Sequence, residues 1–313
     1  MKLIIQIPAY NEANNIAHTV SQLPKNISGI QTIEYLVIDD GSTDQTTAVA
    51  QKAGVHHIVT LDKNNGLARA FYIGIQQAVK LSADIIVNTD ADNQYCAQDI
   101  DKLIQPILEN AADVVIGDRQ PRKNKHYTFF KKCIHYVGSK FLSAMFGVQI
   151  PDAPSGFRAY SRKYALQLFV YARFTYTVET LFHALDNNFR IKFVPVRVNP
   201  PLRPSRLFTN IFNYISRLAY TTLEIYFLYR PHFFLFRFAS ISIFFAFLIG
   251  LRYIYHLVFV SVEEVFIPSL ILCAILTVIG VGLFLLGTIC NQLRINRRLL
   301  EKIVCEKRFE LEN

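Results

Sequence analysis

The stretch Ile85-Ile86-Val87-Asn88-Thr89-Asp90-Ala91-Asp92-Asn93-Gln94-Tyr95 decides how this chain reads. Ile85–Asn88 is a short apolar run of the kind that forms a buried strand. It runs into two carboxylates one residue apart. On extended backbone, side chains at i and i+2 project to the same side, so Asp90 and Asp92 share a face. They repel unless a cation lies between or near them. Hard oxygen donors suit Mg²⁺ or Mn²⁺, and a diphosphate can complete the coordination. Many loops contain such a pair. Its place at a strand end, with Gln94 nearby, makes Asp90, Asp92 and Gln94 candidate metal ligands.

Upstream, short apolar runs alternate with helical patterns. Leu3–Ile7, Tyr35–Ile38 and His57–Leu61 read as strands; Asn14–Leu23, Thr46–Ala53 and Leu67–Leu81 read as helices. Downstream follow a helix over Asp99–Leu108, a strand over Val114–Ile116 and a further strand over Ile191–Val198. This alternation predicts an α/β fold with a mostly parallel sheet and helices on both faces. In such sheets ligands bind at the carboxyl ends of the strands, where the acidic clusters fall. Arg119–Tyr127 is polar and basic and reads as a loop.

Two more clusters sit at strand ends. In Asp39-Asp40-Gly41-Ser42-Thr43-Asp44, Ser42 or Asp44 can cap the next helix. That role does not need both Asp39 and Asp40, whose carboxylates can accept from a nucleobase N–H or ribose hydroxyls. In Pro8-Ala9-Tyr10-Asn11-Glu12, Tyr10 can pack against a base, and Glu12 can bond to it or start the helix.

The proline-rich run from Pro200 to Pro204 closes the first domain, because repeated prolines continue neither a helix nor a central strand. Leu207–Tyr229 is amphipathic, with Phe208, Ile211, Phe212, Ile215, Leu218 and Ala219 on one face and Asn210, Asn213, Arg217, Thr221 and Glu224 on the other. It reads as a helix packed on the core or as one lying in the membrane interface, and the span that follows at once favours the second. Two apolar segments follow, roughly 233–260 and 266–290, each long enough for the ~30 Å hydrocarbon layer. Arg237 and Arg252 lie near the ends of the first, where they can snorkel. The expected organisation is a catalytic domain over 1–205, a juxtamembrane helix over 206–231, two spans over 232–291 and a basic tail over 292–313.

The formal net charge is +9, and many of the basic residues flank the apolar segments, which points to a membrane rather than nucleic acid. The loop between the spans carries Glu263 and Glu264 and no Lys or Arg, so the positive-inside rule puts the catalytic domain and tail in the cytoplasm. Five cysteines without a C-x-x-C spacing support neither a disulfide framework nor a zinc site. His56, His57, His126 and His135 show no ligand spacing and read as surface or packing residues.

Taken together, the three acidic segments resemble the nucleotide-sugar-binding signature of family 2 glycosyltransferases, which share the GT-A fold. The resemblance covers about the first 200 residues. Asn65-Gly66-Leu67-Ala68-Arg69-Ala70, Asp90-Ala91-Asp92-Asn93-Gln94-Tyr95, Gly117-Asp118-Arg119 and Ser155-Gly156-Phe157-Arg158-Ala159-Tyr160 narrow it to the polyprenyl-phosphate mannose and glucose synthases. The pair of C-terminal spans resembles the two-helix members of that group. The resemblance implies that Pro8, Tyr10, Glu12, Ile38, Asp39, Asp40 and Ala91 surround the donor, that Asp90, Asp92 and Gln94 hold Mg²⁺ or Mn²⁺, and that Arg119 meets phosphate. Arg203 and Arg206 stand where relatives carry basic residues, with Arg206 replacing a lysine, and are expected to bind phosphate; so is Arg158, which reads equally as a structural residue. Asp152 is expected to orient acceptor or to cap a loop.

The implied reaction is inverting transfer of a hexose from a UDP- or GDP-sugar to polyprenyl phosphate, by an integral membrane protein of a bacterial inner membrane with a cytoplasmic catalytic domain. A homo-oligomer is compatible with this. The other reading is transfer to a hydroxyl of a lipid or glycan, which needs a carboxylate base such as Asp152 or Glu179. A nucleotidyltransferase would call for a glycine-rich triphosphate loop near the N-terminus, which is missing.

Overall fold

A computed structural model describes residues 1–121, 129–172, 175–200, 211–259 and 267–310. In chain order the elements are β1 (Lys2–Ala9), α1 (Ile16–Gln22), β2 (Thr32–Asp39), α2 (Thr46–Lys52), β3 (His57–Thr60), α3 (Leu67–Lys80), β4 (Ile85–Asn88) and, after a 3₁₀ turn at Ala97–Asp99, α4 (Ile100–Leu108). Then come β5 (Val114–Asp118), α5 (Phe129–Phe146), β6 (Arg158–Ser161), α6 (Arg162–Gln167), α7 (Tyr176–Asp186) and β7 (Ile191–Pro195). The last three helices are α8 (Ile211–Tyr229), α9 (Pro231–Phe259) and α10 (Ile267–Glu310).

The strands form one seven-stranded sheet in the order β3-β2-β1-β4-β6-β5-β7. β1 pairs in parallel with β2 and β4, β2 with β3, and β5 with β7. β6 runs antiparallel to both β4 and β5. This strand lies in the Ser-Gly-Phe-Arg segment that sequence reading left unassigned. Central strands covered on both faces read as continuous apolar runs; β1 is buried from Leu3 to Ala9. Ile191–Val198 ends as a strand at Pro195, and Val198 instead bridges to Tyr95.

Two compact units are present: residues 1–225 with 304–313, and residues 226–303. In the second unit, α9 and α10 are long and apolar enough to cross a membrane. They pack as a hairpin through small residues. Ser242 Oγ donates to the Leu276 carbonyl at 2.7 Å, and Cys273 Sγ lies 3.2 Å from the Ala246 carbonyl. Phe244, Phe245, Phe247 and Val278 stay exposed, as lipid-facing side chains do.

On α8, Ala219 is exposed while Thr221, Ile225 and Tyr229, at four-residue spacing, are buried. α10 continues to Glu310, and in the first unit the Cys305 thiol is buried 3.5 Å from the Leu166 carbonyl at the end of α6.

Candidate functional site

The site lies where β1, β2, β4 and β5 end. Gln6, in the middle of β1, donates to Asn88 Oδ1 at 2.9 Å, and Asn88 in turn donates to the Gly156 carbonyl and the Tyr176 hydroxyl, both at 2.9 Å. All of this is buried. The Gly156 N–H donates to the Tyr95 hydroxyl at 3.0 Å, and Tyr95 stacks on Phe157. The Ser-Gly-Phe-Arg turn is thereby pinned behind Asp90. A Cβ on Gly156 would stand 2.8 Å from the Tyr176 hydroxyl and 3.3 Å from Asp90 Oδ1.

Asp90 and Asp92 follow directly. Burial first, and then the Asp92 charge, push the Asp90 carboxyl up to about 7; Glu12 adds to this and Arg119 opposes it. Gln94 donates its amide nitrogen to Asp92 Oδ2 at 2.7 Å, keeping its amide oxygen as an acceptor. The loop is held from both sides. Thr19 of α1 donates to the Ala91 carbonyl at 2.7 Å, and Asn199 donates its main-chain N–H to the Gln94 carbonyl at 2.8 Å. Ala91 itself is buried in the core.

Among the described residues no three His, Cys, Asp or Glu groups converge on one point. The protein thus offers two carboxylates and an amide oxygen, with burial and the Asp92 charge together raising Asp90. That donor set fits an incompletely caged Mg²⁺ or Mn²⁺ that takes further oxygens from substrate phosphate and water.

The two aspartates after β2 are bound by the chain itself. Asp39 accepts from the Ser42 N–H at 3.1 Å and the Thr47 hydroxyl at 2.8 Å. Asp40 accepts from the N–H groups of Asn65 and Gly66, at 2.8 and 2.9 Å, at the entrance of α3. Burial and the Asp39 charge push Asp40 up, against the pull of those two N–H groups. Between them and the helix, Gly41 has φ +71°, and a Cβ there would lie 2.5 Å from the Lys63 carbonyl carbon. The N-cap of α2 is Gln45 rather than Ser42 or Asp44, though Asp44 accepts from the Thr46 N–H at 2.9 Å in the turn before it.

At the end of β1 Pro8 is buried, and Tyr10, just beyond the strand, is exposed. The Glu12 carboxylate takes a bond from Asn15 Nδ2 at 2.8 Å and lies close enough to Asp90 to raise it. Ile38 does not line a cleft: it is wholly buried, and its side chain fills the space that Gly74 of α3 leaves open.

Arg119, one residue beyond β5, grips Asp152. Its main-chain N–H and Nε donate to Oδ2 at 3.1 and 2.7 Å, and Nη2 donates to Oδ1 at 2.8 Å. Burial pushes the Asp152 carboxyl up, but the Arg119 charge and bonds outweigh this and hold it below the usual carboxylate range. Arg158 is wholly buried. Its guanidinium donates to the carbonyls of Ala153, Ser155 and Thr177 and to the Thr180 hydroxyl, which makes it a scaffold for the turn rather than a phosphate-facing group. Glu179, also buried, accepts from the N–H groups of Tyr171 and Ala172. Arg203, Arg206 and His126 lie outside the described residues.

Sequence reading gave no site role to Gln6, Asn88, Tyr95, Tyr176 or His135, the last of which it took as a surface or packing residue. Two of them carried a signal: an amide inside an apolar strand, as at Gln6 and Asn88, must find a buried partner. His135, on α5, stands with its Nδ1 3.9 Å from Asp152 Oδ1.

The profile of glycosyl transferase family 2 matches residues 4–169, more than half of the chain, and the protein belongs to that family. It is a glycosyltransferase of GT-A fold. Its relatives include the UDP-N-acetylglucosamine–dolichyl-phosphate N-acetylglucosaminyltransferase of Methanococcus voltae, 29% identical, over 61% of this chain and 83% of that one. The undecaprenyl-phosphate mannosyltransferase of Micrococcus luteus is 29% identical over 51% of this chain and 66% of its own. Among solved structures, glucosyl-3-phosphoglycerate synthase from Mycobacterium tuberculosis, crystallised with Mn²⁺ and UDP, superimposes with a TM-score of 0.57 at 18% identity, over 72% of this chain and 78% of that one.

Proposed function

We propose that the protein transfers a hexose from a UDP- or GDP-sugar to polyprenyl phosphate, with inversion at the anomeric carbon. The observation that carries the acceptor is the state of the two carboxylates that a hydroxyl acceptor would need as a base. Asp152 is clamped by Arg119 and held below the usual range, and Glu179 is spent on two backbone N–H groups. A phosphate monoester is already ionised at neutral pH and needs no base. Relatives named for transfer to dolichyl and undecaprenyl phosphate support the same choice.

Asp90, Asp92 and Gln94 hold the divalent ion, which when bound offsets the charge that develops on the leaving diphosphate. Tyr10, Glu12, Asp39, Asp40 and the main chain at Pro8, Ile38 and Ala91 surround the nucleoside. Arg119, oriented by Asp152, meets phosphate. A phosphate oxygen of the lipid attacks the anomeric carbon as its bond to the diphosphate breaks, and the nucleoside diphosphate leaves with the electron pair. Arg203 and Arg206 add positive charge; Asn199, four residues before Arg203, is tied to the Gln94 loop.

α9 and α10 cross the membrane with both chain ends in the cytoplasm. The direct test uses purified protein, a panel of radiolabelled UDP- and GDP-sugars, and either polyprenyl phosphate or the free polyprenol. Label in extracted lipid with the phosphate only is expected. Label with the polyprenol alone would overturn the acceptor assignment.

A further inference from the structure

Asp152 is more than a partner for Arg119. It is wholly buried, and each of its carboxylate oxygens offers about two acceptor directions. Arg119 fills both on Oδ2, with its main-chain N–H and Nε, but only one on Oδ1, with Nη2. The neighbour of the remaining direction is His135. Its side chain is only 13% exposed, and Nδ1 lies 3.9 Å from Oδ1, within ion-pair distance. His135, which sequence reading took as a surface or packing residue, thus stands beside the Arg119–Asp152 pair. The arrangement is also asymmetric. Arg119 is held on one edge by Asp152, so any rotation of that carboxylate re-aims the guanidinium.

We propose that His135 is a positioning residue for transfer: through Nδ1–H it fixes the rotation of the Asp152 carboxylate and so directs Arg119 at phosphate. This rests on the phosphate-facing role given to Arg119 above. His135 touches no substrate. Its effect passes through Asp152, so it belongs in kcat and in the geometry of Arg119, not in donor affinity.

The test compares His135→Leu with His135→Asn, whose amide nitrogen can take the place of Nδ1, in full-length protein in detergent. The expected result is a fall in kcat of about tenfold for the leucine variant, the size of one lost charge-assisted bond, with unchanged KM for the donor and substantial recovery in the asparagine variant. In an Asp152→Asn background His135→Leu should cost nothing further. A second measurement does not need turnover. The Arg119 Nε–H resonance, assigned by its loss in Arg119→Lys, should be protected from solvent exchange in the wild type and in His135→Asn and should lose protection in His135→Leu. If wild-type protein transferred to no polyprenyl phosphate but the resonance behaved in this way, the function proposed above would fail and His135 would stand. Equal kcat in both variants, or an Arg119 Nε–H unchanged by His135→Leu, would overturn the proposal.

Discussion

Gly156 and Asp90 stand so close that a single methyl group on the glycine would touch the carboxylate, at 3.3 Å from Oδ1, while lying 2.8 Å from the Tyr176 hydroxyl. The tyrosine cannot yield easily: it stacks on Phe71 with ring centroids 3.8 Å apart and is bonded to Asn88. Overpacking of this kind costs about 1–3 kcal/mol. Gly156→Ala is expected to lower the melting temperature and, by pushing on Asp90, to cut turnover by roughly tenfold or more. Scanning calorimetry and initial rates check both; wild-type rates would show that the contact is idle.

Asp92→Asn removes one of the two charges proposed to hold the ion. Transfer should drop by roughly two orders of magnitude or more while the fold persists, since Asp92 is partly exposed and its nearest partner, Gln94, can bond an amide. Circular dichroism and rates over a Mn²⁺ titration decide the matter, with near-normal turnover in saturating metal as the contrary outcome.

Asp90 sets a pH window. Its folded value is raised to about 7, well above that of an unfolded aspartate, so without metal the folded state holds a proton that the unfolded chain has lost. Metal-free stability is therefore greatest below the unfolded value near 4 and declines as pH rises toward 7. Metal binding must expel that proton, so affinity should weaken about tenfold for each pH unit below 7. Melting curves with EDTA or Mn²⁺ between about pH 5 and 8 should diverge as pH rises, and Asp90→Asn should flatten the difference.

Arg203 and Arg206 are assigned to phosphate on their place in the sequence. Each charge-assisted contact is worth about 1.5–3 kcal/mol, so replacing both by alanine should reduce kcat/KM by roughly two to four orders of magnitude. If the arginines touched only lipid headgroups, the effect would be about 1 kcal/mol each on membrane attachment, with nearly normal turnover. Kinetics in neutral detergent separate these outcomes.

Orientation is tested at Ser261, which falls between α9 and α10 in the sequence and outside the described residues. A cysteine there should react with an impermeant thiol reagent from outside intact cells. Reaction only after the cells are opened would reverse the topology.

Local pattern was enough for much of this protein. Apolar runs of strand length and the 3.6-residue rhythm marked six of the seven strands, because period and turn chemistry are written in neighbouring residues. The two carboxylates after β4 and the two long apolar segments were legible for the same reason. What the sequence left open was partnership at a distance. Gln6 and Asn88, 82 residues apart, become one buried network only when β1 pairs with β4. Arg119 and Asp152, 33 apart, meet because β5 and the turn before β6 are brought side by side. The antiparallel entry of β6 turned Arg158 inward onto carbonyls, and the closeness of α3 to β2 turned Ile38 toward Gly74. A buried polar or charged group takes whichever partner the packed sheet delivers. That choice was made by tertiary structure, and it is what separates the residues of this site that face a ligand from those that hold the fold behind them.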